Sequence, residues 1–231
     1  MKPVNMKLVK VTGPDGKLQG VFAFHVRDGQ MCPYVAAKGR FAKRVRSLTM
    51  IASDLKRVAS FLKLIRGQIE PELVDALWSA AVVGYARCFV SSEGRGTKLE
   101  RRDHIQNLSP ALLKCHDFIL NARHNFVAHA GDTKMEQSAV HIVLQPQSSR
   151  PGVIGVGLPQ TRRQAPASPE VDVFINLTEA VLVIVEALLG EATKALQDDY
   201  NSLDIETLYA QAIFPPPDTA HHANGGSGQS L

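Results

Sequence analysis

Asn121-Ala-Arg123-His124-Asn125-Phe-Val-Ala-His129-Ala-Gly131-Asp132 closes an apolar helical run with a cation, an amide and a titratable imidazole, and then meets a glycine. Upstream, Leu112, Cys115, Ile119 and Ala122 lead into Phe126 at helical spacing. The segment therefore reads as an amphipathic helix with one apolar stripe packed on a core. At about 100° per residue, Arg123 falls to one side of that stripe and His129 to the other, both at its border. Asn125 and His129, four apart, share a face, so the amide can orient the ring or hold the same ligand. Gly131 supplies a C-terminal stop and puts His129 in the last turn, where the negative end of the helix dipole favours imidazolium. That bias suits a proton donor near neutral pH.

Outward from this helix the chain is mostly helical in pattern. Phe41, Val45, Leu48, Ile51, Leu55, Val58, Phe61 and Leu62 predict a long first helix over about 39–65. Glu70-Pro71-Glu72 opens a second that runs to about Phe89, with acids at its positive end. Ser109-Pro110 starts the third, which bears the opening stretch. Asn176, Thr178 and Glu179 offer capping residues for a fourth reaching about Leu196, and a short helix follows near Ile205 to Ile213.

Strand signals flank these helices. Lys7 to Thr12, the turn Gly13-Pro14-Asp15-Gly16, and Lys17 to Phe24 predict a hairpin. Ala139 to Leu144 reads as a strand, and Val171 to Ile175 as another that pairs with it. The Pro-, Ser- and Gly-rich stretch between them reads as a long hairpin arm or a loop. Pro215 to Leu231 has the composition of a disordered tail. The expected fold is mainly α with small β-hairpin additions. It divides into an N-terminal hairpin extension (1–35), a helical bundle (36–213) with a β and Pro-rich insertion at about 135–175, and the tail (214–231).

Composition agrees with this class. Of 231 residues, 45% are hydrophobic and 6% aromatic, a balance that suits helix-on-helix packing over an aromatic-cored sandwich. The formal charge of +4 permits a polyanionic partner without requiring one. Cys32, Cys88 and Cys115 show no CxxC pairing, so neither a disulfide framework nor a zinc site is expected. No compact carboxylate cluster suited to magnesium stands out, His221 and His222 lack partners at ligand spacing, and no metal or cofactor is expected. Gly152 to Gly157 looks like a phosphate loop, but no helix carrying Lys-Ser or Lys-Thr follows it. The N-terminus lacks a signal-peptide pattern, and the most apolar run, Ala180 to Gly190, is too short to span a bilayer; a cytoplasmic chain without a membrane partner is expected.

The Arg123 to His129 pattern resembles the signature of the HEPN superfamily, an Arg followed by a polar residue and, a few positions on, a His. Ala76 to Phe89, with Tyr85, Arg87 and Phe89, is similar to the helix that precedes the catalytic one in prokaryotic, abortive-infection-type members. The resemblance covers roughly residues 41–131 and a later helix. It implies a HEPN-like four-helix bundle and a homodimeric, metal-independent endoribonuclease of toxin or phage-defence type, restrained by an antitoxin or by the β extensions. Two copies of the signature helix would meet at a two-fold axis and form one composite cleft. Arg123 would hold two phosphate oxygens while the ribose 2′-hydroxyl attacks, and His129 would move the proton. His124 and Asn125 would support them.

Blander readings stand beside each of these. Arg123 can pair with an acid on a neighbouring helix while His129 caps carbonyls, and His124 and Asn125 can be surface residues. Arg95, Lys98, Arg101 and Arg102 precede the signature helix and are the better candidates for RNA contact; Lys38 to Arg46 and Arg162-Arg163 are others. Any one of these is equally a solvated cation. The alternative function is a noncatalytic HEPN-like module that binds RNA, nucleotide or protein.

Overall fold

The computed structural model describes residues 5–12, 18–68, 70–91, 96–124, 136–138, 140–144, 146, 153–158, 160–162 and 168–213. The chain forms two compact units, residues 39–197 and residues 1–38 together with 198–231. The stretch after 197, expected to belong to the bundle up to 213, thus clusters with the N-terminal extension.

The larger unit is helical. Helix α1 (Gly39–Ile65) presents Leu48, Ile51, Leu55, Val58 and Leu62 inward, each at most 2% exposed. Helix α2 (Pro71–Ala86) begins with Pro71 in its first turn, where a missing N–H costs nothing, and Glu72 near its positive end. Its end precedes the predicted one, because residues 87–89 close as a turn, with Cys88 N–H on Tyr85 O and Phe89 N–H on Ala86 O. Phe89 is nevertheless buried, as expected of a core residue. Helix α3 (Pro110–Ala122) starts at Ser109, whose Oγ accepts the Leu112 N–H. Helices α1 to α3 share one core with helix α4 (Ser168–Asn201).

The predicted strand Val171 to Ile175 is instead part of α4. Val171, Phe174, Ile175, Thr178, Val181 and Val185 recur at three and four residues and are all buried, which is helical periodicity. The apparent alternation of Val171-Asp-Val173 is too short to compete with it. Thr178, expected as a cap, lies inside the helix with its hydroxyl donating to Phe174 O at 2.8 Å. By length and composition alone α4 is long and apolar enough to cross a membrane, because the helix continues beyond the apolar run Ala180 to Gly190 on both sides. One face of it packs in the bundle core, and its ion pairs to α1 are exposed.

Those ion pairs form a ladder. Arg66 Nε donates to Asp172 at 2.8 Å, Lys63 meets Glu179 at 2.8 Å, and Lys56 meets Glu186 at 2.9 Å. The three acids stand seven apart on α4, two turns each, so they share one face. Partner numbers fall along α1 as they rise along α4, so the two helices run antiparallel. Each pair is exposed and stabilises by roughly 0–1 kcal/mol, so the ladder fixes register more than it adds stability. Between α1 and α2 the approach is close: a Cβ on Gly84 would stand 2.8 Å from Val58 Cγ2.

The insertion after α3 is a ribbon. Strands β4 (Glu136–Ser138) and β7 (Gln160–Arg162) pair antiparallel, as do β5 (His141–Leu144) and β6 (Val153–Gly157). Their registers agree. Glu136 lies opposite Arg162, and five residues inward along both strands His141 lies opposite Gly157. One hairpin arm therefore spans both pairs, with β5 pairing to β6 where sequence reading paired it to residues 171–175. Gly152 to Gly157 leads into a strand, not a helix.

In the other unit, β1 (Asn5–Thr12) and β2 (Leu18–Arg27) pair antiparallel, and β2 pairs onward with β3 (Gln30–Met31). The predicted turn at Gly13 to Gly16 lies outside the described residues. A second turn, Asp28-Gly29, joins β2 to β3 with φ of 51° and 81°, the positive values of a type I′ hairpin. Tyr34 and Ile213 exchange backbone hydrogen bonds of 3.0 and 2.8 Å, and the Tyr200 hydroxyl accepts the Lys38 N–H. A short helix, α5 (Ile205–Ala210), is capped by Asp204, whose carboxylate accepts the Thr207 N–H and hydroxyl. Those bonds hold the Asp204 carboxyl below its ordinary pKa.

Candidate functional site

Helix α3 buries His116, Ile119 and Ala122. His116 is 0% exposed, which the count of apolar residues along this helix does not anticipate. It moves the centre of the buried face. Leu112, His116, Ile119 and Arg123 follow one another at four, three and four residues, so Arg123 stands within that face rather than at its border. Arg123 is half-buried, keeps helical φ and ψ of −59° and −47°, and has no ion-pair partner among the described residues. The pairing of Arg123 with an acid of a neighbouring helix is therefore not seen there. His124 is exposed. Asn125, His129 and the Gly131 stop lie outside the described residues.

Two turns before Arg123 on α3, His116 joins an aromatic cluster to which α2 and α4 also contribute. Tyr85 packs edge-on against Phe174 at 5.4 Å between centroids and Trp78 against Phe174 at 5.6 Å. Phe89 meets the His116 ring at 4.6 Å. The Tyr85 hydroxyl lies 2.9 Å from His116 Nδ1. Burial pushes the Tyr85 pKa up, so the phenol keeps its proton, and burial pulls the His116 pKa down, so the imidazole stays neutral. The neighbouring Asp117 opposes the His116 shift and Arg101 adds to it. With both groups neutral, the two share one hydrogen bond whose direction follows the imidazole tautomer, and His116 Nε2 has no hydrogen-bond partner among the described residues. Sequence reading placed Tyr85 on the upstream helix; it did not find His116.

The cations expected to meet RNA occupy the connection from α2 to α3. Leu99 and Ile105 anchor this connection in the core at 1% and 0% exposure, and the Leu99 N–H donates to Cys88 O at 2.8 Å. A single π-helical turn, Arg101–Ile105, ends it. Arg101 is turned back onto α3, its Nε 3.0 Å from Asp117 Oδ1. Lys98 meets Glu100 at 2.9 Å. Arg102 is exposed, and Arg95 lies outside the described residues. On α1, Arg40, Lys43, Arg44 and Arg46 are exposed around the first two turns, with Arg40 4.6 Å from the Phe41 ring.

Two clefts open on the bundle. One, of about 420 Å³, is lined by Trp78, Cys115, Phe118, Ile119 and Val173, with Lys114 and Glu170. It is apolar, and burial pushes the Cys115 thiol up to about 11, so that sulfur is no nucleophile at neutral pH. The other, of about 440 Å³ between α1 and α2, is lined by Asp54, Arg57, Phe61, Val83, Gly84 and Arg87, and Arg87 reaches Asp54 at 3.8 Å. The described residues contain no group of three or more metal-ligating side chains. Cys32, Cys88 and Cys115 form no disulfide with one another, and the buried Cys88 thiol lies 3.5 Å from Gly84 O.

No protein-family model, no curated protein and no solved structure matches this chain.

Proposed function

We propose that the chain is a homodimeric, metal-independent endoribonuclease of the toxin or phage-defence kind, HEPN-like, cytoplasmic, and held in check by a cognate antitoxin. One observation supports this above the others. Arg123 is a half-buried residue on the core-facing side of α3 with no carboxylate partner among the described residues. A cation so placed has lost part of its hydration and gains most from a planar, bidentate anion. A phosphodiester supplies two nonbridging oxygens in that geometry.

In this reaction one His129 takes the proton of the ribose 2′-hydroxyl as its oxygen attacks phosphorus, Arg123 stabilises the charge that builds on the nonbridging oxygens, and the bond from phosphorus to the 5′-oxygen breaks as that oxygen takes a proton from the His129 of the second copy. His124 and Asn125 orient the substrate. The products are a 2′,3′-cyclic phosphate and a 5′-hydroxyl. Removing a charge-stabilising donor of this kind costs roughly 10²–10³ in rate.

The test is cleavage of RNA in EDTA by wild type, Arg123→Ala and His129→Ala, with product ends identified. Cyclic phosphate ends made by wild type and lost in both variants support the nuclease. Equal trace cleavage by all three rejects it. The alternative is a noncatalytic HEPN-like module binding RNA, nucleotide or protein. Salt-dependent RNA retention with no turnover would select that module.

A further inference from the structure

The hairpin arm carries an aliphatic face toward its outer end. On β5, Ile142 and Leu144 alternate onto one side with Val140 just before the strand. Across the ladder Ile142 faces Val156, and Leu144 faces Val153 at a bulge; Leu158 follows Val156 by two residues on the same side. These six side chains are 69%, 57%, 65%, 66%, 60% and 68% exposed for Val140, Ile142, Leu144, Val153, Val156 and Leu158. The opposite side is different in kind, with Val143 at 40% beside Gly155 and Gly157. Residues 140–144 and 153–158 include no Lys, Arg, Asp or Glu.

We propose that this face docks against the same face of a second copy of the chain, the two ribbons packing sheet on sheet about a two-fold axis. A two-stranded ribbon is marginal in water until one face is packed. Six aliphatic side chains, each more than half exposed and contributing roughly 100 Å², make a patch of about 600 Å², the upper end of what the largest patch on a monomer reaches and a size that is often functional. Two such patches bury about 1,200 Å², the lower bound of a stable specific interface. An uncharged face is also its own complement, which an isologous contact requires.

Other occupants fit the chemistry less well. RNA needs cations that these strands lack. A bilayer surface favours a rim of Trp, Tyr, Lys or Arg, none of which occurs on the two strands. Heterologous protein interfaces are anchored by aromatic and Arg side chains, which are missing from them too.

The proposal extends the homodimer by giving it a surface, and it does not depend on Arg123 or on cleavage. It is tested with the full chain by sedimentation, comparing wild type, Ile142→Asp, Ile142→Lys, and an equimolar mixture of the two variants. Wild type is expected to be dimeric at low micromolar concentration. Each variant alone should dimerise at least about 100-fold more weakly, with unchanged helical circular dichroism, because a charge would be buried without a partner. The mixture should regain the dimer by opposite charge across the axis. A monomeric wild type at tens of micromolar overturns the proposal, as does an Ile142→Asp chain that dimerises as tightly as wild type. Monomers that float with phosphatidylcholine–phosphatidylglycerol vesicles overturn it in favour of a lipid surface. The readout is mass, so a dimer that cuts no RNA leaves it standing, and a monomer that cuts RNA overturns it while sparing the nuclease.

Discussion

The Tyr85 hydroxyl stands 2.9 Å from His116 Nδ1, and both side chains are 0% exposed. A hydrogen bond with no access to water is expensive to break from one side. Tyr85→Phe leaves the imidazole without its one bond and is expected to cost about 1–3 kcal/mol. Tyr85→Phe combined with His116→Leu removes both polar groups and should cost less than the sum of the single changes. Urea denaturation of the four proteins measures the coupling. A Tyr85→Phe protein as stable as wild type would show the bond to be incidental.

The same imidazole sets an acid limit on stability. Burial depresses the His116 pKa below the ordinary 6.5, so the unfolded chain takes up the proton more readily than the folded one. Its contribution is complete above pH 6.5 and is lost as the pH falls below that value toward the depressed one. The slope from this residue approaches about 1.4 kcal/mol per pH unit. Thermal melts between pH 7.5 and 5 should fall more steeply for wild type than for His116→Leu; parallel curves would count against it.

Gly84 marks the closest approach of α1 and α2. A methyl group there meets Val58 Cγ2 at 2.8 Å, too near for contact. Alanine adds up to about 1 kcal/mol of helix propensity, and overpacking removes about 1–3 kcal/mol. Gly84→Ala is thus expected to be destabilising, and Val58→Ala in the same chain should recover part of the loss. A Gly84→Ala protein that melts higher than wild type would mean that α1 yields freely.

Arg123 offers a separation of structure from activity. Replacing a half-buried cation that has no carboxylate partner among the described residues by Met should leave stability unchanged or raise it by about 1 kcal/mol, while abolishing cleavage. Arg123→Lys keeps the charge without the planar fork and should retain no more than about a hundredth of the rate. If Arg123→Met unfolds the chain, the residue serves the fold.

Much of the fold could be read from local signals. Phe41 to Leu62 repeats with helical period, and Pro71 with Glu72, and Ser109 with Pro110, are start signals whose physics is local. The start of α4 was hidden because Val171-Asp-Val173 imitates alternation over too few residues to test. Strands β6 and β7 were hidden by a Pro-, Ser- and Gly-rich composition whose pairing partners lie up to 26 residues away, at Glu136 and Arg162. In the candidate site, Arg123 was legible as a cation closing an apolar helix. His116 was not, since a polar residue is left out of any apolar stripe until a distant hydroxyl is known to meet it. Nor was the capture of Arg101 by Asp117, which depends on the turn between them.

The backbone bridge between Tyr34 and Ile213 bears on how the chain is made. Its second partner leaves the ribosome roughly 10–35 s after its first, at about 5–20 residues per second. The intervening helices, which share one core, can collapse while Tyr34 still waits. Closure of the bridge then follows the bundle, and a chain stalled before residue 213 would leave the Tyr34 N–H and C=O without the backbone groups that they meet in the folded protein.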